Sequence, residues 1–300
     1  MTGKSVYSSA GMDTTRTFTA SDDTVIAYRL WRPAAPRRTV VAIHGLASNM
    51  TRWTEFAATT RLAESWDILR VDLRGHGDSL FRGRVGMAVW CGDLAALLAH
   101  EQVPRAVLVG HCLGANLALC FARREPARVA GLVLIEPMFR EALTGQMARV
   151  ARLRPMLAAL APPLRLLAAL GLHRRHLARL DLEQLDREAR AAMAGAGGVF
   201  PEARYASVPE DLRSLPVSIY LQDMLAVTDR LPDLAEIAAP TLALLSAGAS
   251  FSDPEVTARQ LAALPDGRII RMNARHWLPT EQPEAMRRAI EEWCDERFGR

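Results

Sequence analysis

The chain is almost without lysine: Lys4 is the only one among 37 basic side chains, and the rest are arginine. With abundant alanine, this is the usage that a GC-rich coding sequence tends to produce. The formal net charge of +4 is therefore weak evidence for a polyanionic partner, and no nucleic acid is expected. No apolar run approaches the roughly 20 residues that cross a bilayer, so no membrane span is expected. The stretch 1–11 is polar and rich in small residues, without an apolar h-region, and reads as a loose start rather than a signal peptide. These absences together point to a cytoplasmic enzyme. Cysteine is scarce as well. Cys91, Cys112, Cys120 and Cys294 show no paired short spacing of the kind that marks a zinc site or a redox pair, and neither metal nor cofactor is expected. Cys120 falls two helical turns after Cys112, beyond disulfide reach unless the helix breaks. Internal repeats are missing too, as are low-complexity tracts beyond an Ala/Leu bias.

What the chain has in quantity is apolar side chains. Half of its 300 residues are hydrophobic, enough to bury a large α/β core, alone or with an inserted cap. Thr15–Thr19 and Thr24–Trp31 alternate apolar and polar around Ser21-Asp22-Asp23, the pattern of an antiparallel hairpin at a sheet edge. Thr39–Ile43, Asp67–Val71, Arg105–Val109, Gly131–Ile135, Pro240–Ala247 and Arg268–Met272 read as strands, the first of them a β-branched run of the kind buried on both faces. Helical spacing appears over Thr51–Ala63, Val85–His100, Ala115–Arg124 and Pro283–Phe298. The alternation predicts an α/β class: a mostly parallel central sheet with helices on both faces and ligands at the carboxyl ends of the strands. Residues 1–137 and 236–300 form the two parts of this core. Residues 138–235 are rich in Leu, Ala and Arg and lack a convincing strand, and Pro162-Pro163, Gly195–Gly198 and Pro216 punctuate them. They read as a helical cap insertion.

One stretch carries chemistry: Val107–Gly114, Val-Leu-Val-Gly-His-Cys-Leu-Gly. An apolar strand enters a Gly-x-Cys-x-Gly turn and leaves it as a helix. A nucleophile on so sharp a turn has a strained backbone whose flanking residues are pressed together, and Gly110 and Gly114 supply the missing Cβ atoms. The turn lifts Cys112 clear of the sheet. It also sets the N–H of Leu113 and the helix N-terminus where negative charge can be stabilised. His44, His76 and His111 read as structural members of their turns, Asp72 and Asp78 as ties for the Arg74 loop, and Trp53, Trp90 and Trp293 as core.

With three further landmarks in order, this elbow resembles the α/β-hydrolase superfamily, of the kind with a cap after the sixth strand. The landmarks are His44-Gly45 with Trp53 eight residues on, Arg74-Gly75-His76-Gly77, and a late His276 followed by Glu281-x-Pro283. The resemblance implies Cys112 as nucleophile in the place usually held by Ser, and His276 as general base. It also implies an oxyanion hole from the N–H groups of Leu46 and Leu113, with Gly45, Gly110 and Gly114 as structural turns. In most relatives the acid lies three residues past the glycine equivalent to Gly248, but Phe251 stands there and cannot be ionised. Glu136, at the end of the strand after the elbow, is the favoured acid, because some family members place it there. Asp253 is the alternative, although it precedes Pro254 and so reads as a helix N-cap. A thiolate–imidazolium pair can also work without a third group.

The exchange of Ser for Cys bears on the reaction. Moving an acyl group from a pantetheine thiol to Cys112 swaps one thioester for another and is nearly thermoneutral, whereas from an oxygen ester it is uphill. The expected substrate is a small-molecule acyl thioester, released by hydrolysis or by intramolecular transfer or cyclisation. In its type of active site the chain resembles cysteine-dependent thioesterases and Dieckmann-type off-loading cyclases of natural-product biosynthesis. An ordinary carboxylesterase for small esters is the first alternative. A non-catalytic small-molecule binding protein on the same fold is the second, and the retained His276 and Gly45 argue against it. Between Met138 and Leu180 stand eight arginines and a single acid, Glu141. That segment reads as a solvated face or as a docking surface for an acidic acyl carrier protein or an anionic cofactor arm, its leucines lining an apolar acyl pocket.

Overall fold

A strand that is apolar at consecutive positions belongs where both faces of a sheet are covered. The computed structural model, which describes residues 13–36, 38–195, 199–248 and 250–299, places the strands accordingly. Stretch 1–11 and residues 196–198 of the glycine-rich punctuation lie outside the described residues. The hairpin of β1 (Thr14–Thr19) and β2 (Val25–Trp31) is antiparallel and joins the sheet through an antiparallel pairing of β2 with β4. β3 (Arg38–Ile43), β4 (Trp66–Val71), β5 (Ala106–His111), β6 (Val129–Ile135), β7 (Thr241–Ser246) and β8 (Gly267–Met272) are parallel. The order β1-β2-β4-β3-β5-β6-β7-β8 reverses direction between β3 and β5, and such a switch point opens a crevice at the carboxyl ends of the strands.

Successive side chains of a strand point to opposite faces, so each central strand feeds two cores. Val41, Ile43, Leu108, Leu132 and Leu134 pack on one side with Leu97, Leu117 and Phe121. Val40, Ala42, Val107, Val109, Val133 and Ile135 pack on the other with Trp53, Ile290 and Trp293. Each fully buried aliphatic side chain contributes about 1.5–3 kcal/mol relative to exposure.

The helices are α1 (Thr54–Thr59), α2 (Met87–His100), α3 (Leu113–Arg124), α4 (Gly145–Ala169), α5 (Leu182–Gly195), α6 (Val208–Ser214), α7 (Val217–Val227), α8 (Pro254–Leu261), α9 (Leu278–Glu281) and α10 (Pro283–Phe298). Three of them differ from the sequence reading. The helix expected over Thr51–Ala63 is broken into a 3₁₀ turn Met50–Trp53, α1, and a second turn Arg61–Glu64. Asn49 and Thr60 cap these turns with their side chains, and Thr60 is extended. The helix expected from Val85 begins at Met87, since Gly86 has φ +144°. The third difference is that α4 runs through Pro155, Pro162 and Pro163 instead of stopping. A proline leaves the carbonyl four residues earlier without a partner, and for Pro155 the guanidinium of Arg140 takes over by donating to the Ala151 oxygen at 3.3 Å. Ala158 and Ala159, four residues before the proline pair, are exposed to water.

Helices α4 to α7 lie between β6 and β7, with no strand among the described residues of that insertion. A buried ion pair ties the insertion to the core. Arg52 donates to both carboxylate oxygens of Asp186 on α5 at 2.5 and 2.6 Å and to Thr280 Oγ1 at 2.7 Å. Among the described residues no helix is long and apolar enough to cross a membrane.

Candidate active site

Where β5 passes into α3, Cys112 has φ +52°, a region an L-residue with a side chain enters only at a cost. Its N–H donates to the Ile135 oxygen at 2.8 Å, and its carbonyl accepts from Ala115 and Asn116 at 3.0 and 3.1 Å. Two glycines make the turn possible. A Cβ on Gly110 would lie 2.3 Å from the Gly114 oxygen, and one on Gly114 would lie 2.4 Å from the Ile43 oxygen and 2.6 Å from the His44 oxygen. All of these neighbours are backbone and cannot step aside cheaply. Gly114→Ala is therefore expected to cost about 2–3 kcal/mol of stability through forced separation of α3 from β3, read as a lowered urea midpoint. An unchanged midpoint would contradict this packing.

Two more non-glycine residues at positive φ converge here, Ala47 at +48° and Glu136 at +52°. Pairing of β5 with β6 sets His111 opposite Ile135, so Cys112 and Glu136 are the next residues of adjacent strands. Glu136 is buried. Its Oε1 accepts from the Ser246 N–H at 2.5 Å, and its Oε2 lies 3.2 Å from His276 Nδ1. His276 also shares the cavity wall with Cys112, and the two interact electrostatically. Burial works against the charged imidazolium, but the interactions with Cys112 and Glu136 outweigh it and push the His276 pKa up to about 10. The loop that presents His276 is itself held by one carboxylate, Glu281, which accepts from the N–H groups of Arg275, His276 and Trp277 at 3.0, 3.2 and 3.0 Å.

Asp253 is occupied elsewhere: its Oδ1 accepts from the N–H groups of Glu255 and Val256 at 2.8 and 3.1 Å, capping α8. Phe251, at the position where most relatives carry the acid, sets its ring edge-on to His276 with centroids 4.9 Å apart.

The turn carrying Gly45 and Leu46 lies against the elbow. A Cβ on Gly45 would be 3.3 Å from Cys112 Cβ and 3.2 Å from the His111 oxygen. Leu46 lines the same cavity as Cys112 and His276. Leu113 is the first residue of α3, where backbone N–H groups have no partner within the helix. The surrounding histidines fix this arrangement. His44 Nε2 accepts from the Leu73 N–H at 3.0 Å, so its proton sits on Nδ1 and is donated to the Gly45 oxygen at 2.8 Å. Burial holds the pKa values of His44 and His111 well below the ordinary histidine value, leaving both rings neutral. His111 Nε2 lies 3.1 Å from the His276 carbonyl. Of the two aspartates near the Arg74 loop, Asp72 accepts from the N–H groups of Met50 and Asp78 at 2.7 and 2.8 Å. Arg74 itself is held by Asp22 and Asp93, while Asp78 joins the loop through its N–H to Asp72.

Above Cys112 opens a cavity of about 620 Å³, lined among others by Met138, Met147, Leu182, Met224 and Phe251. Burial raises the carboxyl of Asp211, in the wall of this cavity, to a pKa of about 7. The cap leucines expected to line an acyl pocket mostly do not: Leu153, Leu160, Leu166, Leu167, Leu170 and Leu172 are 43 to 67 % exposed. Helix α4, which bears Leu153 to Leu167, turns only its first residues, such as Gln146 and Met147, toward the cavity. Asp223, which sequence reasoning missed, is wholly buried and bonds His76 Nε2 at 2.8 Å; His76 in turn packs on His44 at 4.9 Å between centroids. One signal was available: Asp223 is the only charged residue in the mostly apolar run Val217–Val227. The three other thiols are poor nucleophiles, because burial pushes Cys91 and Cys294 up to about 12 and Cys120 up to about 11.

A model of the alpha/beta hydrolase family matches residues 40–289. Among curated proteins, the sn-1-specific diacylglycerol lipase of Mus musculus is 30% identical over 111 residues, 37% of this chain and 36% of the lipase. The matched part spans about a third of the length of the curated relatives. Among solved structures, a hydrolase from Pseudomonas aeruginosa aligns with a TM-score of 0.68 at 22% identity, covering 95% of this chain and 98% of that one. A thioesterase domain from the curacin biosynthetic pathway aligns with a TM-score of 0.65 at 18% identity, covering 93% and 99%. At these identities the structural likenesses speak for the fold.

Proposed function

The chain belongs to the alpha/beta hydrolase family, and from that premise we propose that it transfers acyl groups through a covalent acyl-cysteine on Cys112. The observation that carries this reading is the row Cys112, His276, Glu136, in which His276 bonds the buried Glu136 and shares the cavity floor with Cys112 at its strained elbow. Cys112, paired with His276 as a thiolate, attacks the carbonyl of an acyl thioester. The N–H groups of Leu46 and Leu113 stabilise the oxyanion. Collapse breaks the bond to the leaving sulfur, which takes the proton held on His276 Nε2. His276, now neutral and steadied by Glu136, removes a proton from water or from a nucleophile within the acyl chain, which then displaces Cys112. The products are a free acid in the first case and a cyclised acyl product in the second.

Thioester substrates suit this nucleophile because acylation exchanges like for like, and the acyl-cysteine gives up its acyl group more readily than an acyl-serine would. The acyl group reaches the site as a small thioester or on the pantetheine arm of an acyl carrier protein. The likeness to a lipase favours a second reading, hydrolysis of small oxygen esters. Incubation with an acyl N-acetylcysteamine thioester, followed by intact-mass and peptide analysis, tests the proposal. The acyl mass is expected on Cys112 and absent from Cys112→Ala. An unlabelled protein under turnover conditions would sink covalent catalysis.

A further inference from the structure

Helix α4 presents to solvent what a soluble helix normally buries. Leu153, Met156, Leu160, Leu167 and Leu170 are 43 to 67 % exposed. With exposed Pro163 they recur in steps of three and four, one stripe along one helix face. From residue 153 to 170 that stripe is about 26 Å long at 1.5 Å per residue. Exposed apolar residues elsewhere, such as Val25, Leu80 and Ile269, are scattered singly and call for no explanation.

The charged side chains of α4 itself are all basic, and Arg154 among them is paired with Asp229 at 2.6 Å. Arg149 and Arg152 precede it and Arg175 and Arg179 follow it, all exposed, and residues 142–180 contain no Asp or Glu. A helix face that is apolar and flanked by its own arginines would set arginine against arginine in a second copy, whether the two helices ran parallel or antiparallel. An acidic carrier protein would satisfy the arginines and leave the leucines without a role. An anionic lipid surface satisfies both, since the apolar side chains enter the acyl boundary while the guanidinium groups meet headgroup phosphates. We infer that α4 lays its solvent face on anionic lipid bilayers. The first turn of the same helix lines the cavity over Cys112, so lipid contact would occur beside the entrance for an acyl chain. This inference concerns the surface of α4 and stands apart from the reaction at Cys112.

The test is co-sedimentation of the full chain with phosphatidylcholine vesicles and with vesicles of equal parts phosphatidylcholine and phosphatidylglycerol. Binding to the anionic vesicles is expected to be at least about tenfold tighter, the scale of a few arginines at such a surface, and to weaken with salt. Leu160→Glu/Leu167→Glu should abolish it. Arg149→Glu/Arg152→Glu should reduce it by about tenfold. Both variants should turn over a soluble substrate as the parent does, and Cys112→Ala should bind vesicles as the parent does. Equal or negligible binding to both vesicle types would overturn the inference. So would a dimer in sedimentation velocity that the leucine variant dissociates and that ignores vesicles, or capture of an acidic carrier protein with no affinity for lipid.

Discussion

Glu136→Gln is expected to lower kcat by about 10²- to 10⁴-fold, while Asp253→Asn leaves it within about twofold. The size of the first effect follows from tautomer control. In the parent, Ser246 N–H holds Oε1, and Oε2 faces His276 Nδ1, so Nδ1 carries a proton and Nε2 is free to exchange one with Cys112. In the variant, the amide oxygen keeps the Ser246 contact and the NH₂ group turns toward His276. Nδ1 must then accept, the ring proton moves to Nε2, and the base loses the lone pair it needs. The charge that helps hold His276 protonated disappears as well. At Asp253 the side chain accepts two N–H groups at the start of α8, a duty asparagine performs nearly as well. Steady-state kinetics on one thioester substrate decide the matter. If Asp253→Asn proves the damaging change and Glu136→Gln the mild one, the acid lies in the later loop.

The same pair of residues shows what could be read from the chain. Gly110-x-Cys112-x-Gly114 is a local steric demand, so the elbow is legible in eight letters. Apolar runs such as Thr39–Ile43 reveal a sheet buried on both faces for the same reason: a few neighbouring residues suffice. Glu136 is different. Its position against His276 depends on β6 lying beside β5 and on β7 offering the Ser246 N–H, contacts set by strand order and spread over more than a hundred residues. Composition and the lack of a strand point to a helical insertion over 138–235, but neither says which apolar face is covered. The leucines of α4 therefore read as pocket lining although most of them face solvent. Proline misled in the same segment, since an unpaired carbonyl is tolerated where Arg140 or water can reach it. The pairing of buried Asp223 with His76 depends on α7 being docked on the core, which no local pattern specifies.

Cys112→Ser is expected to convert a turning-over enzyme into one that stalls after its first half-reaction. Acylation of serine by a thioester runs downhill, so the acyl adduct should still form. Its release is the difficulty. An oxygen ester is a poorer acyl donor than a thioester, and kcat for thioester substrates should fall by about 10²-fold or more, with a burst of one thiol per protein and an adduct that persists in intact-mass spectra. His276 should register the exchange directly. Its pKa near 10 rests in part on its interaction with Cys112. With a neutral hydroxyl in place of the sulfur that contribution goes, burial gains ground, and the imidazole should titrate at lower pH. The direction is fixed: a proton that the parent keeps as pH rises toward 10 leaves earlier in the variant, visible in the Cε1 proton shift by NMR. The esterase reading demands the opposite kinetic pattern, since a serine nucleophile restores thermoneutral exchange with oxygen esters. Cys112→Ser would then hydrolyse small esters as fast as the parent or faster, without a stalled adduct. That result, together with an unmoved His276 titration, would remove the reason for assigning thioester chemistry to this cysteine.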